Sequence, residues 1–222
     1  PKSILEFKKF AKKSIAFFND SVKRCPKIKT VINSFDEVYS FEKNDCKKYN
    51  LNFITNWMYP IQTVKHESEQ VQLYNISSKD SRTPLLLKIA KILKEKNIKY
   101  RIIIFHKKNK IKSPNIEYTS VQVPLAEVNE SLHNAQILLD INRSGQKGIT
   151  FRVFESIGLE KKLITTNDDI KTYDFYNPNN ILIIDEKNPD IPHDFFNTAY
   201  EKVPEMIFKK YTLQQWISNV LN

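Results

Sequence analysis

The chain has 222 residues, of which 41% are hydrophobic and 27% charged, as in a folded globular protein of one large or two small domains. Its longest apolar runs fall far short of the roughly 18 residues that a membrane-spanning helix needs, and two cysteines cannot build a disulfide framework. We therefore expect a reducing, cytoplasmic environment.

The net charge of +10 is compatible with nucleic acid, an anionic membrane surface or an anionic small substrate, and equally with lysine-rich solvated faces. Only five of the 35 basic residues are arginines, and no nucleic-acid-binding motif is present. Nucleic acid is therefore the partner that the composition disfavours.

The first part of the chain contains three short strand patterns, SIAFFND (14–20), EVYSFE (37–42) and NFITNW (52–57), with a helical stretch, KNDCKKYN, between the last two. Pro60 and a polar run then interrupt the pattern. We predict an incomplete N-terminal Rossmann-like domain at 1–58 and a linker at 59–70.

The second part alternates regularly between strands and helices. Apolar residues at spacings of three and four predict a helix in TPLLLKIAKILKEKN. The nearly continuous apolar run in YRIIIFH is typical of a buried parallel strand. The predicted strands are VQLYNIS, YRIIIFH, AQILLDIN, KLITTN and NILIID. This alternation predicts an α/β fold of parallel sheets with helices on both faces, with a domain at 71–203 and a final helix at 204–222.

All three glycines of the chain, Gly145, Gly148 and Gly158, lie within 14 residues. The first two follow a predicted strand and precede a helix, where the free amides of Ile149 and Thr150, the helix dipole and Lys147 would favour an anion. A simple turn or helix cap is the alternative reading. Neither a Walker A motif nor a GxGxxG motif is present.

The helix after this loop is apolar on most sides, so its polar residues need a reason. Arg152 and Glu155 are three residues apart and could form an ion pair. Alternatively, Glu155 could accept hydrogen bonds from hydroxyls of a ligand whose phosphate lies at the helix start.

The run GITFRVFESIGLEKKLITTN resembles the nucleotide-sugar site of GT-B glycosyltransferases, closest to bacterial lipopolysaccharide-core and capsule biosynthesis proteins. FFNDSVKR, FDEVYSFEKNDCKKYNLNFI and DIKTYDFYNPNNILIID resemble further segments of that group. The resemblance implies two Rossmann-like domains facing each other across a cleft, of which the N-terminal one is incomplete here. It also implies a final helix that crosses back to the first domain.

The resemblance also implies roles for individual residues. Glu155 would bind the donor ribose, Gly148 and the amides after it the diphosphate, and Thr166 and Asn167 the donor sugar or base. Many retaining members carry a second glutamate eight positions before the first, but this chain has Lys147 there. The stereochemical outcome and the catalytic residue are therefore left open.

Other residues at strand ends are candidates for the cleft. Asp20 and Ser21 end the first predicted strand, with an ordinary turn as the alternative, and His106 and Asn142 end later strands. Arg82 starts the helix after VQLYNIS, with a solvent contact as the alternative. No histidine or cysteine cluster has metal-ligand spacing, so we expect neither a metal nor a cofactor.

The sequence thus predicts transfer of a sugar from a nucleotide-sugar donor to a glycan or glycolipid acceptor, such as lipopolysaccharide core or capsule. The lysine clusters at Lys8–Lys13 and His106–Lys112 would suit peripheral attachment to the inner membrane. The alternatives are a non-catalytic basic module that binds nucleic acid or another anionic polymer, and an inactive glycosyltransferase-like subunit.

Overall fold

A computed structural model describes residues 2–59, 70–107 and 113–221. In the first part, three strands form a parallel sheet in the order β1-β2-β3, with Phe17 opposite Tyr39 and Ser40 opposite Phe53. These strands are β1 (Ile15–Phe18), β2 (Glu37–Ser40) and β3 (Asn52–Phe53). The helices of this part are α1 (Lys2–Lys8), α2 (Lys43–Tyr49) and 3₁₀ turns at Pro26–Thr30 and Ile32–Ser34.

The second part is built on a six-stranded parallel sheet in the order β6-β5-β4-β7-β8-β9. Its strands are β4 (Val71–Ser78), β5 (Tyr100–Phe105), β6 (Glu117–Thr119), β7 (Ala135–Asp140), β8 (Lys162–Thr165) and β9 (Ile181–Ile183). Its α-helices are α3 (Thr83–Glu95), α4 (Leu125–Asn134), α5 (Phe151–Gly158), α6 (Asp194–Asn197), α7 (Glu205–Lys210) and α8 (Leu213–Leu221), with a 3₁₀ turn at Asp168–Thr172. The strand order reverses at β4, which lies between β5 and β7.

Successive residues of the central strands pack on opposite faces of this sheet. Leu73 belongs to the core under α3, whereas Tyr74 belongs to the core under α4 and α5. The same alternation places Ile137 and Leu138 on different faces. Because both faces are apolar, helices cover both, and the predicted α/β architecture is confirmed.

Two predicted strand features differ from the structure. NFITNW pairs only over Asn52–Phe53, because the chain then turns toward the second part. The edge strand β6 was not predicted, since its three residues show no alternation of apolar and polar side chains.

The two parts contact each other through the end of the chain. The Met58 amide donates to the Tyr211 carbonyl at 2.7 Å, and the indole N–H of Trp216 in α8 donates to the Thr55 carbonyl at 2.8 Å. The Trp216 ring also packs against Phe17 and Trp57. Residues 60–69 of the predicted linker lie outside the described residues.

None of the described helices combines the length and apolar character that crossing a membrane requires. Cys25 and Cys46 are both free thiols, and burial raises the pKa of Cys46 to about 11.

Candidate functional site

A polar cleft lies where the carboxyl ends of the two sheets face each other. Its central cavity has a volume of about 160 Å³. The polar residues in its wall include Asp20, Asn56, Arg82, Asn142, Arg143 and Thr150. The loops after β4 and β7 supply four of these six residues, at the point where the strand order of the large sheet reverses. Ligands of open α/β sheets collect at such a reversal.

Two further cavities adjoin this one. One, of about 450 Å³, shares Arg143 and Gln146 with the central cavity and extends toward the first part past Ser21 and Gly145. The other, of about 350 Å³, shares Arg82 and Asn142 with it. Larger grooves of about 1100 and 660 Å³ along α7 and α8 share no wall residue with any of these three.

The amino-terminal end of α5 opens into the central cavity. Thr150 is its N-cap: the Thr150 hydroxyl accepts from the Arg152 amide at 3.1 Å and donates to Asp140 at 3.0 Å. Among the described residues, the amides of Ile149 and Thr150 have no hydrogen-bond acceptor. These amides and the helix dipole make this end of the cavity electropositive.

Two buried amide side chains beside the helix start each have one unused oxygen. Asn56 donates to the Ile149 carbonyl at 3.0 Å and Asn142 donates to the Gln146 carbonyl at 2.6 Å. The side-chain oxygen of each has no partner among the described residues. Buried polar atoms are normally hydrogen-bonded, so these oxygens are available to a donor on a ligand.

The glycine loop does not leave all its amides free. The Glu42 carboxylate, on the first part, accepts from the amides of Lys147 at 3.0 Å and Gly148 at 3.1 Å. It also accepts from the Asn44 amide at 3.1 Å, as the N-cap of α2. The Gly148 amide, which we predicted to hold a diphosphate, is thus bound to an anion of the chain itself.

The reason for glycine at position 148 is a close approach of backbone. A Cβ atom there would lie 2.4 Å from the Phe41 carbonyl oxygen. Gly145, in contrast, has φ +79°, a conformation that side chains rarely adopt. A Cβ atom at Gly158 would have the Met58 side chain as its nearest neighbour, at an ordinary contact distance of 3.7 Å.

Glu155 is buried beneath Tyr59 and does not line the cavities described here. The Tyr59 hydroxyl donates to its carboxylate, and Arg152 pairs with it at 2.7 Å. Burial, together with the Glu155 charge, raises the pKa of Tyr59 well above its usual value. The Arg152–Glu155 ion pair, one of the two interpretations of their spacing, is therefore present. Phe151, one turn before Glu155 in α5, lines the cavity.

Arg82 is held in place at the start of α3. Its guanidinium pairs with Asp80 at 2.8 Å and donates to the Ile141 carbonyl at 3.0 Å. Arg143 has longer contacts, 3.4 Å to Asp80 and 4.0 Å to Asp20. Arg143 is therefore the guanidinium in the cleft with more freedom to meet a ligand.

Asp140, at the end of β7, lies behind Thr150. Burial raises its pKa, although the Thr150 hydrogen bond and the Arg152 charge act in the opposite direction. One of its oxygens has no hydrogen-bond partner in the described structure.

Thr166 and Asn167 support the loop instead of lining the cleft. The Thr166 hydroxyl accepts from the Asn142 amide at 2.9 Å, and the Asn167 side chain donates to the Lys147 carbonyl at 3.2 Å. The Lys147 ammonium pairs with Asp168 at 3.2 Å.

His106 does not line the cleft, and two lysines near the chain start form ion pairs with other residues of the first part. The His106 amide, at the end of β5, donates to the Thr119 carbonyl at 2.8 Å, and His106 is absent from the walls of the three cavities. The lysine cluster that follows it lies largely outside the described residues. In the cluster near the chain start, Lys8 and Lys13 pair with Asp36 and Glu37, each at 2.7 Å.

Several residues of the site were not predicted from the sequence: Glu42, Asn56, Tyr59 and Arg143. Glu42 lies just after β2, so the rule that strand ends carry function could have found it. The same rule could have found Arg143, which follows Asn142 in the loop after β7. Asn56 and Tyr59 depend on how the two parts pack together. No group of three or more His, Cys, Asp or Glu side chains among the described residues is arranged to hold a metal ion.

No protein-family model matches the sequence, and a comparison with curated proteins finds no match. Among solved structures, the GtfA/B complex is similar at 9% identity with a TM-score of 0.48, over 87% of this chain and 46% of that one. A glycotransferase of kitacinnamycin follows, at 9% identity and a TM-score of 0.38, over 81% of this chain and 50% of that one.

The iron-containing dodecameric glycosyltransferase TibC from enterotoxigenic E. coli H10407 is similar at 10% identity and a TM-score of 0.37, over 95% of this chain and 75% of that one. The chain spans about half the length of the first two proteins.

Proposed function

We propose that this chain contributes the donor-binding cleft of a GT-B glycosyltransferase, which moves a sugar from a nucleotide-sugar donor to a cell-surface glycan acceptor. The observation that carries the proposal is the amino-terminal end of α5, which opens into a cleft between the carboxyl ends of two parallel sheets. Arg82 and Arg143 lie in the same wall. Amides, helix dipole and guanidinium groups together suit a diphosphate.

The chemical contribution of this arrangement is electrostatic. As the bond between sugar and diphosphate breaks, negative charge grows on the leaving phosphate, and fixed donors at the helix start stabilise that charge. Loss of one such donor typically lowers kcat by about 10²- to 10³-fold. Because the protein supplies positive charge itself, the proposal needs no divalent ion, and an assay with and without a chelator tests that point.

The ribose is assigned to Glu155, one turn further along α5 from Phe151 in the cavity wall. Its carboxylate already accepts from Tyr59, so a ribose hydroxyl would take the place of the Tyr59 hydroxyl. The first part, with Asp20 at the opposite wall, would face the acceptor. We assign no catalytic base.

Thermal-shift screening with nucleoside diphosphates, their sugar conjugates and CMP-sialic acid tests the proposal. We expect one nucleotide series to raise the Tm of the wild type and of a Glu160→Gln control, but not of Glu155→Gln. Glu160 is a suitable control because it is largely exposed and pairs with Lys202 away from the cleft. An equal rise in Tm for all three proteins, or no rise in any of them, would rule out the donor-site assignment.

The alternative, a basic module for nucleic acid, has its own test. Oligonucleotide binding at micromolar affinity, with a steep dependence on salt, would favour that module over the glycosyltransferase.

A further inference from the structure

The cavity of about 450 Å³ beside the donor cleft has an unusual distribution of charge. Three acidic side chains, Glu42, Asp45 and Asp80, and three basic ones, Lys23, Arg24 and Arg143, lie in its wall. The formal charges of these six side chains sum to zero. The hydrogen bonds of the six groups show that they are not equally available to a ligand.

Each acid is already bound within the protein. Glu42 accepts from three backbone amides, and Asp45 accepts from the Val22 amide at 2.6 Å. Asp80 pairs with Arg82 at 2.8 Å. The negative charges of the wall are therefore largely satisfied by fixed donors.

Two of the bases are free or nearly free. The Arg24 guanidinium has no hydrogen bond or ion pair among the described residues, and the Lys23 ammonium donates only to a neutral group, the Ser144 carbonyl, at 3.1 Å. Both side chains are exposed at the mouth of the cavity. An anion that enters this cavity would therefore meet two positive side chains that have no acidic partner among the described residues.

The backbone that carries these two bases is fixed. The Arg24 amide donates to the Ser21 carbonyl at 3.0 Å and to the Ser21 hydroxyl at 3.2 Å. Val22, 3% exposed, anchors the turn in the core, and its amide is held by Asp45. Because the backbone is already fixed, the entropic cost of binding a ligand is limited to ordering the side chains of Lys23 and Arg24.

We propose that this cavity binds an anionic substituent, a phosphate or a carboxylate, on the acceptor sugar. The inference rests on the proposed function, since it assigns the donor to the central cavity. The two cavities share Arg143 and Gln146, so an acceptor anchored by Lys23 and Arg24 would present a hydroxyl toward the donor cavity.

The test measures binding of glucose 6-phosphate, glucuronate and glucose by calorimetry, with and without a saturating nucleoside diphosphate. We expect one or both acidic sugars to bind at least about tenfold more tightly than glucose. The stronger of the two identifies the anionic group as phosphate or carboxylate. The double variant Lys23→Gln/Arg24→Gln should bind all three sugars equally weakly.

The matched control is Lys27→Gln/Lys29→Gln, which removes the same charge from exposed lysines that do not line the cavity. It should bind like the wild type. Equal binding of acidic and neutral sugars by the wild type, or an equal loss in both double variants, would overturn the inference.

The nucleoside diphosphate affinity separates this inference from the proposed function. An unchanged affinity in Lys23→Gln/Arg24→Gln, together with no preference for acidic sugars, would remove the acceptor site and leave the donor site standing. Absence of nucleoside diphosphate binding in every protein would instead remove the proposed function. A weaker nucleoside diphosphate affinity in this double variant alone would assign Lys23 and Arg24 to the donor and overturn the inference.

Discussion

The two parallel sheets differ in how completely their own helices cover them. In the six-stranded sheet, Leu73, Leu138 and Ile164 are fully buried by helices of the same part. In the three-stranded sheet, every residue of β1 is half-buried, and Phe7 and Phe10 before it are exposed. The first part therefore depends on contacts with the second for much of its stability.

Some of the contacts that join the two parts also shape the cleft. Glu42, Asn56 and Thr55 of the first part bind the glycine loop, the start of α5 and α8 respectively. The contacts of Glu42 and Asn56 therefore serve both the stability of the first part and the shape of the cleft. Substitutions at the contacts between the two parts should therefore affect the small sheet and the cleft together.

The largest effect is expected for Gly148→Ala. The added methyl would lie 2.4 Å from the Phe41 carbonyl oxygen, so the two parts would have to separate locally. We expect a loss of about 3 kcal/mol or more in the free energy of unfolding, measured by urea denaturation.

Gly158→Ala is the control for that variant. The nearest atoms to a methyl there belong to Met58, at 3.7 Å or more, and alanine is the better helix former. Its stability should be unchanged or slightly higher. A similar loss in both variants would contradict the close-approach explanation.

Trp216→Ala removes the main aromatic contact of α8 with the first part. We expect a loss of about 2–3 kcal/mol, because the side chain is large but only half-buried. Hydrogen exchange should show faster exchange in β1 and β2 than in the wild type, with β4 and β7 unchanged. Uniformly faster exchange would mean that the two sheets unfold as one unit.

Glu42→Gln keeps the size of the side chain but removes the charge that accepts from the loop amides. Charge-assisted hydrogen bonds are worth more than neutral ones, so we expect a loss of about 1.5 kcal/mol. The exchange rates of the Lys147 and Gly148 amides should rise. Unaltered stability would show that Glu42 does not join the two parts.

Asp140→Asn has the smallest expected effect, and it depends on pH. Burial raises the pKa of Asp140 above its usual 3.8, so the folded state holds this proton more tightly than the unfolded state does. The contribution of Asp140 to the free energy of unfolding is present below pH 3.8, and it is lost as the pH rises through the pKa of Asp140 in the folded state.

Asparagine carries no charge to bury. The free energy of unfolding of Asp140→Asn should therefore be about 1 kcal/mol higher than that of the wild type at about pH 7, and the two should be equal at about pH 3.5. Urea denaturation at both pH values measures the difference. A constant difference between the two proteins would show that ionisation of Asp140 costs the fold nothing.

The fold was predictable because the central strands carry apolar runs and α3 carries apolar residues at spacings of three and four. The cleft was partly predictable, since Asp20, Arg82 and Asn142 lie at or after strand ends and Thr150 lies at a helix start. All four line the central cavity. The reason for Gly148 was not predictable. It depends on Phe41, a residue far earlier in the chain whose approach only the packed structure reveals.

The most direct test of the donor cleft compares a nucleoside diphosphate with its nucleoside by calorimetry, in the wild type and in Arg143→Gln. Arg143 suits the test because its contacts are long and its loss should leave the fold intact. We predict that the diphosphate binds the wild type at least about 100-fold more tightly than the nucleoside, and that Arg143→Gln weakens only the diphosphate, by about tenfold. Equal affinities for the two ligands, or no effect of Arg143→Gln, would contradict the account.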